Sequence, residues 1–515
     1  MESVTDRASA PPIDRVMLVV VLLVVVSACI PLGLMPERAS AFVSDLYDGL
    51  TSNFGFLYQW SAVGVIVFLA WLAFGRFGSV RLGPHNEPPD FSTFSWAGML
   101  FCAGTGAALL SWGAVEWVAY YNSPPFGAEP GSAEAIRWAT AYGPFHWGVV
   151  AWCIYALPTV AIAYPFYVNR VPHLCASTAC HGLMGPEAHR SLFGRLVNLA
   201  AVLGILGGAG TSLGFIAPLI AASVAELFGI ATSFRLEGLA IVVCVALFGG
   251  SVYLGLEAGI KRLSDLNVVL FGLLLAYILL VGPTLFILKM STETIGYMAA
   301  NFVRMLTWTD PIRDTGFVES WTIFFWAWWI AFAPVVGTFV TRISRGRTIR
   351  QVILGMICLG SAGCWVFFFV LGNYALFLEI EGLLPLREIV AASGISVATA
   401  KTLATLPAST VALLTMAVVG IVSAATSYDS ASYTIAATVT RELGPAENPG
   451  RAHRLFWALV LGILPLFMLF VGGLQVIRLA SLLASLPILF AGVVMAVALT
   501  KSLRTDERAR RSERG

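Results

Sequence analysis

Charge is scarce in this chain. Asp, Glu, Lys and Arg make up 12% of its 515 residues, hydrophobic residues make up 58%, and mean hydropathy is +0.82. An ordinary soluble domain is excluded, because the apolar residues far exceed what one core could bury. Soluble linkers and low-complexity stretches are missing as well, which leaves no room for a separate soluble catalytic domain. No glycine-rich phosphate loop occurs, so direct coupling to ATP is not expected. Cysteine is sparse: of the eight, all but Cys175 and Cys180 lie in apolar runs, which argues against a disulfide framework. The spans offer no nucleophile with its base and no ring of filter residues, which argues against a membrane enzyme and a channel. A net charge of +2 says little about partners, and no nucleic-acid partner is expected.

What the chain does have is apolar length. At roughly 20 residues per crossing, about a dozen helices fit. Windows of about 19 residues place them near 16–35, 56–75, 92–121, 143–169, 197–229, 237–257, 266–290, 320–341, 352–379, 404–440, 455–473 and 477–500. The run from Val16 to Met35 is too long for a signal-peptide core and reads as a retained first span. The expected fold is therefore an all-α integral membrane protein with twelve transmembrane helices. An even number puts both termini on one side, and 22 of the 31 Lys and Arg residues fall there. By the positive-inside rule both termini are cytoplasmic, in a multi-pass protein of the inner (plasma) membrane.

Two spans carry interruptions. The third contains Gly104-Thr105-Gly106-Ala107-Ala108, where paired glycines weaken the helix and open its backbone to side chains or ions. The eighth contains Pro334, which removes a backbone donor, and Gly337. They sit five spans apart, the pattern of a five-plus-five inverted repeat with substrate held near the midplane. The expected division is 1–90 for an N-terminal tail and spans 1 and 2, and 91–290 for the first repeat. An outer amphipathic connection follows at 291–319, then the second repeat at 320–500 and a solvated basic tail at 501–515.

Aromatic clusters are the strongest functional signal. Trp147, Trp152 and Tyr155 share one broad face of the fourth span at 100° per residue, and Trp328, Trp329 and Phe332 fall within an arc of about 100° on the eighth. Ring faces suit a cation that cannot donate a hydrogen bond, such as a trimethylammonium or dimethylsulfonium group, at about 0.5–2 kcal/mol per desolvated contact. An interfacial belt or plain core packing remains the alternative. On the tenth span, Ser423, Thr426, Ser427, Ser430 and Thr434 form a hydroxyl stripe. Its oxygens suit a small hard cation, or hydrogen bonds between helices. Asp429 lies off that stripe and reads as a structural residue of the cytoplasmic end. Glu116 is an intramembrane carboxylate, a functional candidate or part of an outer vestibule wall. His173, Cys175, Cys180 and His181 have ligand types that suit zinc, at a spacing that matches no familiar zinc site.

The same residues resemble the betaine/choline/carnitine transporter family. The matching segments are Phe145-His146-Trp147-Gly148 with Trp152 and Tyr155, and Trp321 to Trp329. Ser344-Arg345-Gly346-Arg347-Thr348 and Thr426-Ser427 with Asp429-Ser430-Ala431-Ser432 complete the set, within roughly 90–500. The resemblance implies a LeuT-like fold of twelve spans with two five-helix repeats, and a homotrimer. It implies that Trp147, Trp152, Tyr155, Trp328 and Trp329 line the cationic head group of a small zwitterionic substrate. Phe332 stands where many members carry tryptophan, which would loosen or retune the box. Ala108 stands where many betaine carriers have glycine and choline carriers have aspartate, which argues against choline. The runs Ser111-Trp112-Gly113 and Ser123-Pro124-Pro125-Phe126-Gly127 look similar to carnitine exchangers. For coupling, the resemblance implies a sodium ion between carbonyls of the broken third span, at Gly104 and Thr105, and the hydroxyls of Thr426 and Ser427. Val335 replaces an aromatic contributor to a second sodium site. Lys261 aligns approximately with an arginine that replaces sodium in exchangers. The implied activity is sodium-coupled import of a betaine, carnitine or dimethylsulfoniopropionate type of compound, with sodium-independent carnitine/butyrobetaine exchange as the alternative.

Overall fold

The structure is a computed structural model that describes residues 12–84, 87–104, 108–254, 257–441, 448–471 and 474–512. Among them there is no strand beyond two isolated bridges, Ile13 with Thr440 and Arg81 with Thr348. Twenty α-helices follow one another among the described residues. They are α1 (Arg15–Leu34), α2 (Pro36–Phe74), α3 (Thr93–Gly104), α4 (Leu109–Val115), α5 (Trp117–Asn122), α6 (Ala133–Trp147), α7 (Val149–Tyr167), α8 (His181–Met184), α9 (Leu192–Phe228) and α10 (Phe234–Leu254). The second half holds α11 (Glu257–Val281), α12 (Thr284–Thr307), α13 (Phe324–Ile343), α14 (Ile349–Gly355), α15 (Ser361–Phe367), α16 (Asn373–Ile380), α17 (Leu386–Ala404), α18 (Ser409–Thr438), α19 (Arg451–Val471) and α20 (Leu474–Ser512).

Nine of these helical segments among the described residues are long and apolar enough to cross a membrane, or ten if one bent pair counts as a span. Their sequences leave the backbone no alternative: in hydrocarbon every N–H and C=O must be bonded within the segment. Burial then sorts them. The apolar window of α1 is only 17% buried, so its side chains meet lipid, whereas the windows of α6–α7 and of α13 are each 83% buried. The centre is α9, packed against α18, α20, α13 and α17, with α13 lying along α7.

Three departures from the sequence reading have local causes. The seventh span does not run on to 290; α11 stops at Val281 and α12 leaves at 109°. Gly282-Pro283 lies at the corner, where proline has no N–H to continue the ladder and disfavours a helical residue before it. Residues 284–307 are then one amphipathic helix, fastened to α6 by Arg137 Nε to Glu293 Oε1 at 2.9 Å and Tyr297 OH to Glu134 Oε1 at 2.5 Å. The eighth span is not interrupted at Pro334 and Gly337, since α13 is continuous through both and its irregular turn is the π-helical Val318–Ile323 at its start. Gly337 acts in packing instead: a Cβ there would come within 3.3 Å of Thr159 N on α7. The basic tail is not loose. α20 remains helical to Ser512 and docks through its acidic residues, with Tyr164 OH and Asn169 Nδ2 donating to Asp506 at 2.6 and 3.0 Å and Glu507 pairing with Arg76 at 3.3 Å.

Candidate substrate-binding site

The glycine-rich run of the third span lies largely outside the described residues. α3 ends at Gly104 and α4 begins at Leu109, with Thr105 to Ala107 outside the described residues. Beside it, α6, α7, α9, α13, α15 and α18 enclose a cavity of about 80 Å³. A single water needs about 10–15 Å³, so the space admits a small head group. Its walls include Trp147, Trp152, Tyr155, Trp328, Trp329, Phe332, Ala108 and Ser427. All seven residues put forward for the substrate therefore meet in one place, with one of the two hydroxyls put forward for the ion.

The rings are held as a box. Trp328 and Trp329 stack at 4.9 Å with only 14° between planes, and Trp147 stands edge-on to both, at 5.8 and 4.8 Å. Tyr155 is edge-on to Trp329 at 6.0 Å and to Trp152 at 5.6 Å. Three indole N–H groups of the box are spent on protein. Trp329 Nε1 donates to His146 O at 2.9 Å, Trp328 Nε1 to Gly208 O at 3.4 Å, and Trp147 Nε1 to Glu116 Oε2 at 2.8 Å. What these tryptophans can offer a ligand is their faces, which carry the negative side of the ring quadrupole.

Small residues let the walls close. A Cβ at Gly360 would lie 2.2 Å from the Trp152 ring, and one at Gly148 would lie 2.3 Å from Trp365 Nε1, which donates to Pro144 O at 2.7 Å. Gly360→Ala is accordingly expected to push Trp152 out of the box and weaken ligand binding roughly tenfold, by the 1–3 kcal/mol typical of overpacking. Titration of tryptophan fluorescence checks this, and unchanged affinity would remove Trp152 from the site.

Other candidates fare differently. Glu116 is 1% exposed and sits behind Trp147, not on a vestibule wall; it accepts from Trp147 and from Tyr120 OH at 2.5 Å. Of the hydroxyl stripe, Ser423 accepts from Asn267 Nδ2 at 2.8 Å, a bond between α18 and α11. Thr426 Oγ1 donates to Val422 O at 3.0 Å, which leaves its oxygen lone pairs for a cation. Thr105 and the side chains at Gly104 and Lys261 lie outside the described residues. Val335 is buried in α13. Asp429 pairs with Arg454 at 3.3 Å, the structural role expected of it. No group of three or more His, Cys, Asp or Glu among the described residues is placed to hold a metal. His173 packs against His189 instead, with ring centroids 3.9 Å apart and planes tilted by 44°. Burial, and then Cys175, push the Cys180 thiol up to about 11, which keeps it neutral at pH 7. Cavity residues that gave no sign in the sequence are Ala103, Ala151, Ser212, Val336, Cys364 and Tyr428.

A model of the BCCT family, the betaine/carnitine/choline family transporters, matches residues 15–508. The chain belongs to that family. It is a multi-pass membrane transporter, and the family carries compounds of the betaine, carnitine and choline type.

Proposed function

We propose that this BCCT transporter is a secondary active importer of a zwitterionic quaternary ammonium or sulfonium compound, driven by sodium through alternating access. The observation that carries the reading is the box in which Trp147, Trp328 and Trp329 spend their indole N–H groups on protein. A primary ammonium or a guanidinium would leave its own donors unpaired against such faces, at about 1–3 kcal/mol each. A trimethylammonium or dimethylsulfonium group has none to lose. Trp147, Trp152, Tyr155, Trp328, Trp329 and Phe332 surround the cation, and Ala108 leaves space on the side of the third span.

In this reading twelve spans cross the membrane: the nine apolar segments, α11, the third span and α19. The two five-helix repeats are 91–290 and 320–500, linked by the amphipathic 291–319, both termini are cytoplasmic, and the chain assembles as a trimer. Sodium sits between carbonyls at Gly104 and Thr105 and the hydroxyls of Thr426 and Ser427. Support comes from Ser427, which lines the cavity beside the end of α3, and from Thr426 one residue away on α18. Removing both hydroxyls by alanine substitution is expected to raise the sodium concentration needed for half-maximal uptake about tenfold or more. By linkage, substrate affinity at fixed sodium falls with it. Uptake into proteoliposomes tests this. If wild-type uptake is indifferent to replacing sodium with potassium, the carrier is an exchanger and Lys261 is the residue to examine.

A further inference from the structure

On the face that carries both described chain ends lies a second cavity, of about 380 Å³ and separate from the box. Its rim is a short strap. Ile13 bridges Thr440, Asp14 N donates to Val439 O at 2.8 Å, and Arg441 N donates to Pro12 O at 2.9 Å, so the chain's beginning is tied to the inner end of α18. The opposite wall is the first turns of α9, capped by Ser191, with Arg195 and Asn198 turned into the space. His173 and His189 close the side.

Among the described residues the charges in this cavity do not balance: Arg190, Arg195 and Arg441 line it against a single carboxylate, Asp14. Arg190 also pairs with Glu187 at 3.0 Å, outside the lining, whereas Arg195 and Arg441 have no ion-pair partner among the described residues. Asp14 is itself engaged, since its Oδ1 accepts from Val16 N and Met17 N as the cap of α1. Asn198 supplies a further sign. It is 6% exposed, its Oδ1 takes Ser177 N at 2.9 Å, and its Nδ2 has only the Cys175 sulfur at 3.8 Å. A buried amide donor left with so weak an acceptor calls for a better one. Guanidinium forks, an amide, imidazoles and the positive end of a 37-residue helix are together the chemistry that holds a phosphate.

We propose that this cavity binds an anion carrying a phosphate group, as free phosphate or as a lipid headgroup, independently of what the box carries. Bound there, the anion ties the strap and the inner end of α18 to the start of α9. Since α18 brings Ser427 and Tyr428 to the box, an anion that prefers one arrangement of α18 on α9 shifts the transport equilibrium toward it.

The test is a thermal-shift titration of the purified full chain in detergent with inorganic phosphate, against chloride at equal ionic strength. A parallel arm uses nanodiscs of phosphatidylcholine with and without phosphatidylglycerol. Arg195→Gln with Arg441→Gln should weaken the stabilising ligand at least tenfold, as loss of hydrogen bonds to charged groups does. Asp14→Asn keeps the cap of α1 and removes the one opposing charge, so it should tighten binding roughly threefold. This gain keeps the proposal falsifiable should the double variant not fold. Saturable stabilisation by phosphate identifies the free anion as the source. Stabilisation by phosphatidylglycerol alone, lost in the arginine variant, identifies the headgroup. If wild type and Asp14→Asn respond alike to both reagents, the proposal is overturned.

Discussion

Trp329→Leu is expected to weaken ligand binding by roughly 30-fold while leaving the fold intact. The ring is 6% exposed and lies against both Trp328 and Trp147, at 4.9 and 4.8 Å, so it belongs to two walls of the box at once. Leucine keeps an apolar side chain of helical preference at the site and removes the π-face, worth about 2 kcal/mol when the cation is desolvated. At about 1.4 kcal/mol per factor of ten, that is the expected loss. It also leaves His146 O without the indole donor that Trp329 now supplies, at about 1–3 kcal/mol of stability. Binding by the remaining tryptophan fluorescence, with circular dichroism for helix content, separates the outcomes. A variant that keeps its helices and its affinity would show that Trp329 packs the core and does not meet the ligand.

The box was legible because tryptophan is rare, bulky and countable along a helix. At 100° per residue, Trp147, Trp152 and Tyr155 had to share a side of their helix, as did Trp328, Trp329 and Phe332, and all six line the cavity. Ser212, Cys364 and Ala151 line it equally, yet each sits in an apolar run where nothing distinguishes a cavity wall from a helix contact. The hydroxyl stripe shows the converse. Five residues share a face in the sequence, but Ser423 is taken by Asn267 and only Ser427 lines the box, because a face of α18 is longer than the site. Hydropathy averaging hid the corner at Gly282-Pro283, since the apolar residues on both sides of the turn raise one window. It also hid α17, whose polar residues kept it below the signal of a span although it packs on α9. The docked tail was missed for another reason: counting Lys and Arg drew attention away from Asp506 and Glu507, the residues that hold it.

Glu116→Ala should be the most damaging single change, and Glu116→Gln nearly silent. The carboxylate is buried and accepts two hydrogen bonds, from Trp147 Nε1 at 2.8 Å and from Tyr120 OH at 2.5 Å. Alanine strands the Trp147 donor, at about 1–3 kcal/mol, and adds a cavity. A loss of about 3–5 kcal/mol in stability is expected, with Trp147 no longer fixed and ligand affinity lost. Glutamine can keep every partner. Its oxygen accepts from Trp147, and its amide donates to Tyr120 OH. Tyr120 in turn donates to His146 Nδ1 at 2.9 Å, while His146 Nε2 donates to Thr322 Oγ1 at 3.2 Å. The network reverses its donors without losing a bond, provided the imidazole carries its proton on Nε2. Melting temperature, ligand affinity and uptake, measured on both variants, distinguish a scaffold from a charge. A glutamine variant that melts and binds like wild type and also transports like it assigns Glu116 to holding Trp147. If that variant binds but no longer transports, the carboxylate itself is needed in the cycle, and the scaffold account of Glu116 fails.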